Sequence, residues 1–216
     1  MMFHQPDTDL RVRMRLIQIM AALERAGATP VSNRDLHSMA YLANVLSPLW
    51  DVEPLETSVL KDRNGPRSSA LEHEVDLCVG HGLLVVDAMR PDPENLARLD
   101  ATYRLNAPAA RPVLDSVSFL PDEQSVEAYL NELAFAFVEI KPGSRDDAAL
   151  QDASWSNPAV AQGRIVDFGK HLERAAVNPT YNAAQAFQKF APEGVRLDRA
   201  EKLLMYVRLL KRRAHG

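Results

Sequence analysis

Cysteine is nearly absent from this sequence of 216 residues, which contains a single one, Cys78. One thiol excludes an internal disulfide, and a cysteine-poor chain is typical of a reducing compartment. No apolar run approaches the roughly 20 residues that a membrane-spanning helix needs. The N-terminus carries Asp7 and Asp9 beside its arginines, with no apolar signal-peptide core after them. We therefore predict a cytoplasmic protein without a membrane contact.

A strong excess of charge is also missing, because the formal net charge is -4 and the isoelectric point is near 5.9. Nucleic-acid binding therefore requires a local basic patch. The sequence has no glycine-rich phosphate loop and no nucleophile elbow, so we predict neither an ATPase nor a triad hydrolase. Hydrophobic residues make up 46% of the chain, which suffices for a buried core.

Residues 30–84 have the layout of a winged-helix domain. An amphipathic helix is predicted before them, over residues 9–25. The next helix begins at Ser32, where Asp35 completes a capping box, and ends at Pro48. One side of this helix is apolar, and the polar residues Arg11, Arg15, Gln18 and Arg25 lie on the opposite side.

A second box, Ser69 with Glu72, predicts the start of another helix, which ends near Gly82. The apolar residues 83–86 and 101–105 are predicted to pair as the two strands of a wing. The predicted fold class is mainly α with a small β wing, an N-terminal winged helix followed by a helical C-terminal part.

Residues 107–113, APAARPV, are predicted to be a linker because small residues and prolines are concentrated there. They divide the chain into a winged-helix domain over residues 1–106 and a helical domain over residues 107–216. Residues 142–164 are predicted to be mostly loop, with one short helix. The other predicted helices of the second half include residues 126–137, 181–190 and 198–213, the last capped by Asp198 with Glu201.

The second helix of a DNA-reading winged helix places cationic and amide side chains in the major groove. This one carries Glu72, Glu74 and Asp76 instead, and no lysine or arginine occurs between Ser68 and Met89. Phosphates would repel such a face. We therefore predict that the three acidic residues contact a partner protein.

Two groups of cations are candidate phosphate contacts. Residues 51–67 are rich in turn-forming residues and predict an exposed loop, so its cations are either solvated or in contact with phosphate. Cations in the last turns of the C-terminal helix either complement the helix dipole or bind nucleic acid or an acidic partner. The candidates are Lys61, Arg63 and Arg67 in the loop and Arg208, Lys211, Arg212 and Arg213 in the helix.

Two patterns hint at chemistry. Pro121-Asp122 followed by Glu139-Ile140-Lys141 matches the PD-(D/E)xK signature of metal-dependent nucleases. The intervening segment has helical periodicity, which places Asp122 and Glu139 about 25 Å apart at opposite helix ends.

His73, Cys78 and His81 offer nitrogen and sulfur ligands for a metal, but the sequence supplies no fourth ligand near them. We predict no catalytic residue, no metal and no cofactor.

Several stretches together resemble the middle component of bacterial ABC three-component defence systems, the Lamassu-type group with an SMC-like ATPase. They are LHSMAYLANVLSPLW, the NGP before a helix, VDLCVGHGLLVV, ASWSNP, IVDFGKH and LDRAEKLLMYVRLLKRR. The resemblance implies a non-catalytic scaffold and regulatory subunit. Such a subunit links the ATPase to an effector, often a nuclease, and restrains that effector until foreign DNA ends are sensed. It brings no catalytic residues to this chain.

Residues 36–82 are also similar to the Panacea domain of antitoxins, through AYLANVL followed by NGP and a helix. That similarity would imply neutralisation of a toxin. We interpret the chain as the scaffold subunit of an anti-phage or anti-plasmid complex, with DNA contact only in the assembled complex. The alternative is a winged-helix transcriptional regulator or an antitoxin.

Overall fold

A computed structural model describes residues 6–62, 65–91, 99–168 and 177–215. Within these ranges the chain is mainly helical with two small sheets. The coarse prediction of a mainly α chain with a small β part is confirmed. The helices are α1 (Pro6–Arg25), α2 (Asn33–Leu46), α3 (Ser69–Gly80), α4 (Ala107–Asp115), α5 (Pro121–Val138), α6 (Arg145–Leu150), α7 (Pro179–Gln185) and α8 (Arg199–His215). The strands are β1 (Val31–Ser32), β2 (Ser58–Asp62), β3 (Gly65–Arg67), β4 (Leu84–Pro91), β5 (Leu99–Leu105) and β6 (Ile165–Asp167).

The central element is α2, in which residues 35–46 are all buried. Polar as well as apolar residues of this stretch are buried, including Asp35, His37 and Asn44, so the helix is enclosed by other elements rather than laid on a surface. The side chain of Ser32 accepts a hydrogen bond from the amide of Asp35, so the predicted helix start is confirmed. The helix ends at Leu46, immediately before a 3-10 turn that contains Pro48.

The first sheet has the strand order β1-β5-β4, and all its pairs are antiparallel. Leu84 lies opposite Leu105, and a register shift between Val86 and Ala88 interrupts the ladder. Both long strands extend beyond the predicted segments, residues 83–86 and 101–105. Residues 87–91 and 99–100, between the predicted strands, are therefore also strand, and residues 92–98 lie outside the described part of the chain.

The second sheet was not predicted. It has the order β3-β2-β6, and Val59 of β2 lies opposite Val166 of β6. Both of these valines are buried. The prediction of an exposed loop over residues 51–67 is wrong, because a strand about a hundred residues later in the sequence supplies a backbone partner that local composition does not reveal.

The predicted linker, residues 107–113, is also wrong, because these residues belong to α4. Pro108 lies in the first turn, where proline costs no hydrogen bond and its fixed φ suits a helix. Ala110 is fully buried, and the side-chain amide of Asn106 donates to the carbonyl of Gly82 at 2.7 Å. This short helix is therefore packed against the body.

The polar side of α1 is partly buried. Arg15 and Gln18 are buried, because α5 covers them and Glu123 accepts hydrogen bonds from both side chains. Helix α1 thus packs through apolar residues on one side and through Arg15 and Gln18, which are hydrogen-bonded to Glu123, on another.

Buried side chains from Leu16 to Leu210 form one contiguous core that includes residues from both halves of the sequence. The division into domains at residue 107 stays a prediction. Among the described residues, no helix combines the length and apolar composition needed to cross a membrane.

Candidate functional site

The candidate site is α3 with the elements around its first turn. Its capping residue lies one position before the predicted one: the hydroxyl of Ser68, and not of Ser69, accepts a hydrogen bond from the amide of Leu71 at 3.1 Å. Val75 and Cys78 are buried beneath the helix. The inner face of α3 is thereby fixed against the body, and the opposite face is exposed.

Of the three acidic residues predicted to meet a partner, only two are on the surface. Asp76 is exposed, and the side chain of Glu72 is 45% exposed. Glu74 is 2% exposed and accepts a hydrogen bond of 2.6 Å from Nε of Arg13 on α1. The prediction of Glu74 as a partner contact is wrong, because residues two positions apart do not share a helix face.

Lys61 was predicted to lie in an exposed loop and is instead buried, 7% exposed. In β2, side chains alternate between the two faces: Leu60 points outward and Lys61 inward. The ammonium group donates to the carbonyl oxygens of Asn157 at 3.2 Å and Val160 at 2.8 Å. Buried and held in this way, Lys61 is not positioned for a phosphate.

The other two cations of this group differ. The side chain of Arg67 is 18% exposed, and Nη1 lies 3.7 Å from a carboxylate oxygen of Glu72. Arg63 lies outside the described residues. Of the three loop cations predicted to contact phosphate, Arg67 is therefore the one that is described and not buried, and it already faces the carboxylate of Glu72.

The C-terminal cations lie on the last turns of α8, whose start is capped as predicted by reciprocal hydrogen bonds between Asp198 and Glu201. The guanidinium of Arg208 forms two hydrogen bonds to Glu139, at 2.9 and 2.8 Å. These bonds, with the charges of Arg208 and Lys211, lower the pKa of Glu139. Arg208 is thus exposed but paired with Glu139, and Arg212 and Arg213 are exposed as well.

The two carboxylates of the nuclease-like pattern do not share a site. Asp122 is in the first turn of α5 and Glu139 caps its C-terminal end, so about 25 Å of helix separates them. Within the described ranges, no group of three or more histidine, cysteine, aspartate or glutamate residues is placed to bind a metal.

A small polar cluster lies under the first turn of α3. The hydroxyl of Ser68 donates to Glu56, and the amide of Ser68 donates to Nδ1 of His37 at 3.3 Å. Burial raises the pKa of Glu56 to about 7, against the opposing effect of the Ser68 hydrogen bond. Burial, with the charge of Arg67, lowers the pKa of His37 to about 4. The start of α3 therefore rests on two titratable side chains.

A second polar centre, which the sequence did not predict, surrounds Asp152, a fully buried residue. Its carboxyl oxygens accept hydrogen bonds from the hydroxyls of Tyr41, Tyr206 and Thr180, each at 2.7 Å to its nearer oxygen. The amide of Ser154 donates to the same group at 2.9 Å. This centre joins α2, the segment after α6, α7 and α8.

The only trace of this centre in the sequence is its polar composition. Asp152 directly precedes the ASWSNP stretch and Ser154 lies within it, and this stretch carries no spacing that indicates a distant tyrosine. The separation of Tyr41 and Tyr206 along the chain makes the contact invisible to local patterns.

A buried ion pair holds the start of α6 against α2. Nη1 of Arg145 donates to Asp35 at 2.7 Å, and Nε donates to the carbonyl of Ile140 at 3.2 Å. The guanidinium carbon also lies 4.9 Å from the ring centre of Phe137.

Comparison of the sequence with models of known protein families, and with curated protein sequences, gives no match. The functional argument therefore rests on the residues and geometry described above.

Proposed function

We propose that the chain is a non-catalytic scaffold subunit whose N-terminal half is a winged helix. The order α1-β1-α2-α3-β4-β5 with the strand order β1-β5-β4 supports this assignment, since a helix-turn-helix followed by a two-stranded wing has that layout. The β2–β3 hairpin is an insertion between the two helices of the motif.

The observation that carries the proposal is the chemistry of the outer face of α3. Its exposed residues are Ser69, His73, Asp76 and Gly80, and the half-exposed Glu72 adds a second carboxylate. A duplex would meet negative charge and no cation on this helix, so insertion into a major groove would be repulsive. Small and acidic side chains instead suit contact with a protein surface that carries cations.

The sequence resemblance supplies the partners in this proposal. The chain joins an SMC-like ATPase to an effector, most simply a nuclease, in an anti-phage or anti-plasmid complex, and restrains the effector. The exposed Arg212 and Arg213 on α8 contact DNA only in the assembled complex. In this role the chain itself performs no cleavage.

Co-expression tests the proposal. The protein should co-elute from size-exclusion chromatography with an ATPase encoded beside its gene. Asp76→Lys should weaken that complex, whereas Glu193→Lys, an equally exposed charge reversal away from α3, should leave it intact. Co-elution that is the same for wild type and both variants would show that α3 is not the docking surface.

A cleavage assay tests the proposal that the chain is not a nuclease. Isolated protein with Mg²⁺ or Mn²⁺ should not cut DNA. Cleavage that disappears in the double variant Asp122→Ala and Glu139→Ala would establish an enzyme and overturn the proposal.

A further inference from the structure

A hollow of about 390 Å³ opens between the last two turns of α1, the length of α4 and the first turns of α5. We call it the α1–α4 hollow. Its floor is apolar: Ala21 and Leu105 are buried, and Leu114 and Val117 are half-buried. The volume suits one or two large side chains from another molecule.

The chain beside this hollow exposes large apolar side chains. Phe119 is 70% exposed and Leu120 is 42% exposed, and they directly follow Ser118, which lines the hollow. Solvated side chains of this size next to an apolar depression are typical of a surface that a partner covers.

Carboxylates are in excess around the rim. The lining contains four carboxylates and two guanidinium groups. Arg25 binds Glu127 at 2.7 Å, and Glu123 is held by Arg15 from below. Glu24 and Asp115 then have no ion pair with any described residue, and the one remaining cation of the lining is Arg111.

The position of these two carboxylates adds to the negative potential. Glu24 is in the last turn of α1, and Asp115 is the last residue of α4. The carbonyl end of a helix carries partial negative charge, so carboxylates there are unfavourable for folding. Residues that cost stability and lie on the rim of an apolar hollow are better explained by binding than by structure.

We propose that the α1–α4 hollow binds a helix of a partner subunit, with one large apolar side chain in the hollow and lysine or arginine one turn to either side. The apolar anchor is complementary to the floor, and the flanking cations are complementary to Glu24 and Asp115. The statement that the partner is another subunit of the same complex rests on the proposed scaffold function. The surface is separate from α3, so the chain has one docking surface for each of two partners.

A synthetic peptide tests the hollow without knowledge of the partner. The probe is an alanine-based helix of about 14 residues with one central phenylalanine and lysines four positions before and after it. Titrated into ¹⁵N-labelled full-length protein, it should give saturable amide shifts centred on Leu105, Leu114 and Val117. The same peptide with glutamates in place of the lysines should bind at least tenfold more weakly.

Two protein variants complete the test. Ser118→Trp, which fills the exposed side of the hollow, should abolish the shifts, whereas Val85→Trp, at an exposed position of β4, should not. Absence of saturable shifts, equal binding of both peptides, or shifts that map to α3 would overturn the proposal. Co-elution with the neighbouring ATPase is a separate readout, so a failure of the scaffold function is distinguishable from a failure of the hollow.

Discussion

Nε of Arg13 on α1 donates a hydrogen bond of 2.6 Å to Glu74 on α3, where the glutamate side chain is 3% exposed. This contact makes one of the three carboxylates of α3 part of the packing between the two helices. The remaining two, Glu72 and Asp76, face outward and determine what the helix can bind. The same acidic sequence therefore serves both the structure and the proposed docking surface.

Replacing Glu74 should destabilise the protein. Glu74→Ala removes the acceptor of a largely desolvated guanidinium, and the expected loss in the free energy of unfolding is about 2–3 kcal/mol. Asp76→Ala, on the exposed side of the same helix, should change it by less than about 0.5 kcal/mol. Urea denaturation of the two variants checks this, and equal effects would refute the packing role of Glu74.

The tyrosines that meet at Asp152 should each contribute to stability. Tyr206→Phe and Tyr41→Phe each remove one hydroxyl donor from a buried carboxyl group, and each should cost about 1–3 kcal/mol. Their effects should not be additive, because both donate to one acceptor. Thermal unfolding of the single and double variants measures the coupling, and Tyr181→Phe is the half-buried control. Additive losses would contradict a shared network.

Stability should fall as the pH rises through neutrality because of Glu56. Its pKa is about 7 in the folded protein against 4.5 ordinarily, since burial disfavours the charged form. The folded state thus holds a proton that the unfolded state has lost between these values. The contribution is complete below about pH 4.5 and is lost as the pH rises through 7, a change on the order of 3 kcal/mol.

Glu56→Gln is the matched variant, because glutamine is always neutral. The wild type should lose stability relative to this variant between pH 5 and pH 8, as measured by urea denaturation at both values. His37, with its pKa lowered to about 4, acts in the opposite direction and loses its contribution as the pH falls from 6.5 through 4. The comparison with the variant isolates the effect of Glu56, and identical pH profiles would contradict it.

Neutralising the rim of the α1–α4 hollow should raise stability. Glu24→Gln and Asp115→Asn each remove a carboxylate from a helix C-terminal end, and each should increase the free energy of unfolding by about 0.3–1 kcal/mol. Asp122→Asn, at the start of α5, should have the opposite sign. Denaturation at low salt is the measurement, and a loss of stability in the first two variants would mean that these residues have a structural role.

Sequence patterns predicted helix starts correctly where the capping residue and its partner lie close together in the sequence. The hydroxyl of Ser32 accepts a hydrogen bond from the amide of Asp35, and Asp198 and Glu201 form a reciprocal capping box, because the cap and its amide partner lie three residues apart. Proline was the misleading signal: Pro108 and Pro112 suggested a linker, yet both are within α4. Pro108, in the first turn, is compatible with a helix or a linker, whereas Pro112 lies inside the helix, where proline is usually unfavourable.

The features that were predicted wrongly or missed depend on contacts between residues that are distant in the sequence. The burial of Lys61 follows from pairing of β2 with β6, and the polar centre at Asp152 follows from tyrosines on two other helices. Neither has a signature within a short window of sequence. The inward position of Glu74 is different, since helical periodicity alone separates it from Glu72 and Asp76.

The central claim is that α3 contacts protein and does not read DNA. The most direct measurement is the affinity of the isolated protein for duplex DNA as a function of salt, with randomised and selected sequences. We expect no sequence preference and no binding tighter than about 10 μM at roughly 150 mM salt, because α3 offers phosphates no cation. Sequence-selective binding below about 0.1 μM at that salt, weakened by substitution of the exposed His73 of α3, would contradict the account.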